Sequence, residues 1–227
     1  MTRTVLLFDI DGTLITTGGV GRKALERSFL ELHGREDACT TFRLDGMTDR
    51  AIARLGLAAI GLEPTASAID AVLACYLAHL EQTIAGADAA KYRVHPGMAE
   101  AVQAGRQRGH AVGLGTGNLR EGARLKLARV GLWESFDFGG FGDDAEDRAA
   151  LIHAGAQRGR ERLGDGEAPV IVIGDTPKDV AAAQAIGACC LGVGTSSFSV
   201  AQLRDAGATW AFESLAAPGA MDALFGG

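Results

Sequence analysis

Two aspartates two residues apart, Asp9 and Asp11, close the apolar run Val5-Leu6-Leu7-Phe8 and are followed at once by Gly12 and Thr13. On an extended chain alternate side chains share a face, so the two carboxylates lie together only while the strand persists. Gly12 then lets the backbone turn sharply. Two like charges buried together are costly unless a cation or a proton intervenes, so metal binding is the first chemistry these residues imply. Two more polar turns follow apolar runs: Thr116-Gly117-Asn118 after Ala111–Gly115, and Gly174-Asp175-Thr176-Pro177-Lys178-Asp179 after Val170–Ile173. In an open parallel sheet, ligands bind beyond the carboxyl ends of the strands, where the strand order reverses. If the order reverses at the first strand, Asp9, Asp11, Asp175 and Asp179 fall into one small volume. Oxygen ligands with no His or Cys nearby fit magnesium. Taken singly, each turn also has an ordinary reading: a tight turn, a helix cap, a loop. Their shared position at the ends of buried strands sets them apart.

The elements that must hold these turns can be read from periodicity. Apolar runs at Val5–Phe8, 111–115, near 136–138, 170–173 and 189–193 alternate with helical patterns at about 96–109, 119–130, 146–162, 180–186 and 199–205. Solid apolar strands alternating with helices predict an α/β fold, a Rossmann-like doubly wound parallel sheet covered on both faces. Pro96 suits the first turn of its helix, and Asn118 is placed to cap the helix that follows it. Between the first and second strands, residues 17–92 carry helical patterns at 22–33, 50–57 and 67–84 and no strand. This predicts a helical unit inserted after strand one, with 1–16 and 93–227 forming the core. The Gly-rich link from Ile15 to Gly21 reads as a hinge between two bodies or as a plain flexible connection.

Composition excludes several classes. Of the 227 residues 47% are hydrophobic, enough for a real core. Lys and Arg number 22 against 28 Asp and Glu, a net charge of −6 with no basic block, which disfavours nucleic acid as a partner. No run approaches the roughly 20 apolar residues of a membrane helix. The start Met1-Thr2-Arg3-Thr4 runs straight into the first strand, leaving no room for a signal peptide. The four cysteines form no metal-binding pattern with His, and Cys189-Cys190 reads as small core filling. The expectation is a cytoplasmic protein, monomer or homodimer, without membrane contact.

In their order and spacing the three turns resemble the motifs of the haloacid dehalogenase superfamily. Its first motif, Asp-x-Asp-Gly-Thr, is matched by Asp9, Asp11, Gly12 and Thr13. Its second, a Ser or Thr closing a strand, is matched by Thr116 with Gly117 and Asn118. Its fourth is matched by Gly174, Asp175 and Asp179. The third is normally a lysine, yet none occurs between Leu127 and Pro177. Arg148 is the substitute; its alternative is a surface residue paired with Asp144 at i,i+4. A guanidinium binds phosphate bidentately where a lysine acts as a mobile point charge.

The helical insert resembles the cap of the phosphoglycolate-phosphatase-like branch. The resemblance implies a magnesium-dependent phosphatase of a small phosphorylated metabolite. Asp9 would be nucleophile and metal ligand. Asp11 would be acid and base, touching metal through its main-chain carbonyl. Asp175 would complete the metal site with Asp179 behind it. Thr116, Gly117, Asn118 and Arg148 would hold the phosphoryl oxygens. The insert's polar turn Gly46-Met47-Thr48-Asp49-Arg50 is the expected contact with the leaving group; within it Arg50 reads either as a binder of a carboxylate or as a solvated arginine at a helix start. Two alternatives stand beside this: a phospho-ligand-binding regulatory protein without useful turnover, and a phosphomutase, for which no clear His-Lys arrangement follows the first motif.

Overall fold

The computed structural model describes residues 2–226. In chain order these form β1 (Val5–Phe8), β2 (Ile15–Thr16), α1 (Val20–His33), α2 (Asp49–Ala59), α3 (Ala66–Ala85) and β3 (Arg93–Val94). There follow α4 (Met98–Gln107), β4 (Ala111–Gly115), α5 (Arg120–Ala128), β5 (Gly139–Gly140) and α6 (Arg148–Leu163). The chain finishes with β6 (Val170–Gly174), α7 (Pro177–Ala185), β7 (Cys189–Val193), α8 (Val200–Asp205), β8 (Trp210–Phe212) and α9 (Ala220–Phe225).

Six strands form one parallel sheet in the order β5-β4-β1-β6-β7-β8. β1 is central, pairing with β4 on one side and β6 on the other. The chain steps outward from β1 to β4 and β5, then returns to β6 across β1. That reversal opens a crevice at the carboxyl ends of β1, β4 and β6. All four residues of β1 are buried because both faces are covered. Val5 and Leu7 pack among Leu151 and Ile152 of α6, Val180 of α7 and Leu203 of α8. Leu6 and Phe8 pack on the other side with Met98 of α4, Leu127 of α5 and Leu224 of α9. This is the doubly wound α/β arrangement.

Helices α1 to α3 leave the sheet through β2 and return through β3, and these two short strands pair antiparallel, Ile15 with Val94 and Thr16 with Arg93. The two crossings therefore run together. The insert has its own apolar centre of Leu25, Phe29, Leu57, Ile69 and Tyr76, continuous with the α4–α5 side of the sheet.

Three local expectations are corrected. The third strand is Gly139–Gly140, not 136–138. Phe136 and Phe138 turn into the core, Phe138 filling the space left by Gly113. Gly140 pairs with Gly115 of β4 while its backbone lies tight against α6, where a Cβ would overlap the Leu151 carbonyl; only glycine fits there. Pro96 lies ahead of α4, whose N-cap is Gly97 in the left-handed region at φ 82°. Asn118 does not cap α5; that position is Leu119, with no side-chain cap, because the Asn118 amide is engaged elsewhere.

Candidate active site

Asp9 sits where β1 ends, its amide still donating to the Ile173 carbonyl at 2.9 Å. Its side chain is buried. Beyond it the chain turns tightly, with the amides of Leu14 and Ile15 returning to the carbonyls of Asp9 and Ile10. Gly12 makes this possible at φ 84°, and a Cβ there would overlap the Asp175 carboxylate. Two constraints thus select glycine. Asp11 emerges on the open side of the turn with 43% of its side chain exposed.

Asp175, at the end of β6, is held on both oxygens: Thr13 Oγ1 donates to Oδ1 at 2.7 Å and Ser196 Oγ donates to Oδ2. Asp179 has no exposed surface and is committed to structure. Its Oδ2 accepts from the Thr176 amide at 3.0 Å and hydroxyl at 2.7 Å in a capping box that starts α7. Its Oδ1 accepts from Arg148 Nε at 3.0 Å and from a terminal guanidinium nitrogen at 2.6 Å. The same nitrogen of Arg148 lies 3.2 Å from Asp9 Oδ2. Arg148 is therefore a buried cation bridging two carboxylates; Asp144, its alternative partner, pairs with Arg158 at 2.6 Å. Burial opposes the Arg148 charge, but Asp179 and Asp9 outweigh it and push the pKa up.

The second turn faces this group. Thr116 is fully buried, and its hydroxyl oxygen accepts from the Asn118 amide at 3.3 Å and Nδ2 at 2.9 Å, leaving its proton free to donate. Asn118 Nδ2 also donates to Asp11 Oδ2 at 2.9 Å. Gly117 lies beneath the insert: a Cβ there would overlap the Met47 carbonyl and approach Thr48 Cα to 2.8 Å. The insert is seated on the core at this point, with the Asp49 amide donating to the Gly117 carbonyl at 2.8 Å and Asp49 Oδ2 accepting from the Leu119 amide at 2.8 Å. Burial pushes Asp49 up to about 6, with Lys126 opposing.

Asp9, Asp11, Asp175, Arg148, Thr116, Gly117, Asn118 and Asp49 line a cavity of about 480 Å³ that also reaches Arg22, Leu44, Met47 and Tyr76 of the insert, a volume suited to a small molecule. Arg50 is not among its walls. Asp49 turns inward at the start of α2, so the next side chain, about 100° further round the helix, points away and pairs with Asp70 at 3.0 Å. The assignment of Arg50 to substrate is corrected accordingly.

The cavity contains residues that the sequence did not single out. Lys126 is 3% exposed and donates to Asp11 Oδ2 and Asn118 Oδ1, both at 2.6 Å. In the charged pattern of α5 it reads as a solvated lysine. No local signal in the helix marks it as buried. Tyr76 and Ser196 arrive from distant parts of the chain and leave no local signature, whereas Asp49 lies in the polar turn of the insert, Gly46 to Arg50, that the sequence points to.

Carboxylate oxygens of Asp9, Asp175 and Asp179 all lie within 4.8 Å of one another. Burial first, and then the neighbouring aspartates, raise Asp175 to about 8; burial raises Asp9 to about 6 against the pull of Arg148. Concentrated negative charge with all-oxygen donors fits a hard divalent cation. Because Asp179 is taken by Arg148 and Thr176, Asp9 and Asp175 are the available carboxylates. The Asp11 carbonyl, which accepts no backbone hydrogen bond among the described residues, adds a third oxygen.

The sequence profile described as haloacid dehalogenase-like hydrolase matches residues 6–184. No curated protein gives a significant match. Among solved structures, a hydrolase from Pseudomonas syringae is 20% identical with a TM-score of 0.71, covering 94% of this chain and 95% of the other. CbbY from Rhodobacter sphaeroides, solved in complex with phosphate, is 19% identical with a TM-score of 0.72 over 95% and 96%. A predicted phosphoglycolate phosphatase from Haemophilus somnus is 14% identical with a TM-score of 0.68 over 99% and 97%. At these identities the likeness establishes a shared fold.

Proposed function

Because this chain belongs to the haloacid dehalogenase-like hydrolase family, we propose that it is a magnesium-dependent phosphatase of a small, phosphoglycolate-like phosphomonoester, acting through an aspartyl phosphate on Asp9. The observation that carries this is the contrast between two neighbouring aspartates. Asp9 is buried against a permanent cation, 3.2 Å from Arg148, whereas Asp11 opens to the cavity between two donors.

Phosphate monoesters hydrolyse so slowly that a barrier reduction of order 20 kcal/mol is required, and a covalent intermediate divides that barrier into two steps. Asp9 attacks phosphorus as the bond to the leaving oxygen breaks, and Asp11 gives that oxygen its proton. Asp11 then takes a proton from water as the water attacks phosphorus, releasing inorganic phosphate and restoring Asp9. The Thr116 hydroxyl, the amides of the Gly117–Asn118 turn and the Arg148 guanidinium hold the non-bridging oxygens. Magnesium held by Asp9, Asp175 and the Asp11 carbonyl would supply positive charge against the charge gathering on those oxygens. Residues 17–92 act as a cap that excludes water and contacts the leaving group. Four unpaired cysteines support a reducing, cytoplasmic setting, and no described helix is long and apolar enough to cross a membrane.

The test is phosphate release from p-nitrophenyl phosphate. Release should require magnesium, stop with EDTA and fall at least about 10³-fold in Asp9→Asn. Magnesium-independent release, or release unchanged in Asp9→Asn, contradicts the proposal. No release at all points to a phospho-ligand-binding protein of the same fold.

A further inference from the structure

A carboxylate acting as acid and then base must present one particular oxygen to the leaving group, turnover after turnover. Asp11 is poorly suited to this by its own surroundings, since it stands on an open loop with 43% of its side chain exposed. Its orientation is set from outside the loop. Oδ2 receives both Asn118 Nδ2 at 2.9 Å and Lys126 Nζ at 2.6 Å. Among the described residues nothing donates to Oδ1.

Lys126 is itself rigidly held. Its ammonium also donates to Asn118 Oδ1 at 2.6 Å, closing a triangle with Asp11. Its carbonyl accepts from the Tyr92 hydroxyl at 2.7 Å, tying the last turn of α5 to the segment returning from the insert. Overhead, the first turn of α1 passes with a glycine: a Cβ at Gly21 would stand 3.4 Å from Nζ. Stability alone is a weak reason for a buried ammonium here, because an apolar side chain of similar volume commonly serves as well as a buried ion pair.

We propose that Lys126 is a positioning residue for proton transfer: with Asn118 it fixes Oδ2 of Asp11 and so leaves Oδ1 as the oxygen that meets the leaving group. The inference rests on the reading of Asp11 as acid and base. In the first step the proton passes from Oδ1 to the leaving oxygen as its bond to phosphorus breaks and the bond from Asp9 to phosphorus forms. In the second step Oδ1 takes the proton of the attacking water.

Leaving groups separate this role from a structural one. Glycerol phosphate leaves as an alkoxide that must be protonated, whereas p-nitrophenyl phosphate leaves as a stabilised phenolate that need not be. The ratio kcat/KM reports only steps through formation of the aspartyl phosphate. Lys126→Met should lower kcat/KM for glycerol phosphate by about 10²-fold, within the usual range for acid catalysis, while p-nitrophenyl phosphate changes less than about threefold. Lys126→Arg, which restores a cation, should recover part of the loss. Should Lys126→Met fail to fold, Lys126→Gln removes the charge and is read the same way. Equal losses on both esters, or no loss on either, overturn the role of Lys126. A wild-type protein that cleaves neither ester overturns the phosphatase proposal and this inference with it.

Discussion

Asp9, Arg148 and Asp179 form a chain of three buried charges, and the middle one decides how the others behave. Arg148 donates twice to Asp179, which makes no other ion pair among the described residues, and touches Asp9 at 3.2 Å. Arg148→Met would leave a fully buried carboxylate without a charged partner, a change that typically costs about 3–5 kcal/mol. Urea unfolding should show a loss of that order, and Arg148→Lys should recover part of it as a point charge with less reach. An unchanged midpoint would mean that the Asp179 capping box holds that carboxylate unaided. These residues stood out in the sequence because each lies at a strand end or at the first turn of a helix, where local pattern is informative. Lys126 did not, because nothing in Arg120–Ala128 distinguishes a buried lysine from an exposed one. Arg50 was singled out for its place in a polar turn, but the phase of α2 turns it outward to Asp70.

Among the elements, the strands were legible where an apolar run is buried on both faces, as in β1, β4, β6 and β7. The pairings of two residues were not. β5 follows from the close approach of Gly140 to α6, and β2 and β3 exist only because the two crossings meet. The Thr116-Gly117-Asn118 turn shows how an element can serve two neighbours. Its side chains face Asp11, while its glycine lies against Met47 and Thr48. Gly117→Ala should therefore push the insert off its seat, costing about 1–3 kcal/mol as overpacking does and raising KM more than it lowers kcat. Thermal melting together with steady-state kinetics on p-nitrophenyl phosphate checks both; a variant with native stability and KM would mean the 47–48 backbone yields freely.

At the scale of the whole molecule, the strand order could be assumed from the motifs but not read from them, since only the assembled sheet puts β4 and β6 on opposite sides of β1. The seating of the insert was not legible either. It depends on pairs far apart in the chain: Arg54 with Glu146 at 2.7 Å, Thr48 with the Glu146 carbonyl at 3.0 Å, and Lys178 with the Asp45 carbonyl at 3.0 Å. The fold also stores negative charge. Asp9 at about 6 and Asp175 at about 8 lie above the 3.8 of an ordinary aspartate. The folded chain then holds more protons than the unfolded one between about pH 4 and pH 8, so this stability is fully present at low pH and is lost as pH rises through both values. In EDTA the Tm should fall from pH 5 to pH 8, and magnesium should raise it by several degrees at pH 8 and little at pH 5. An equal magnesium effect at both values would mean that the cation is not held by these carboxylates. The most direct test of the central claim is to quench turnover with borohydride, which reduces an acyl phosphate to the alcohol, and to map the product by mass spectrometry. The mechanism predicts homoserine at position 9 when substrate and magnesium are present; active turnover that leaves Asp9 unreduced, or reduction at another carboxylate, would contradict it.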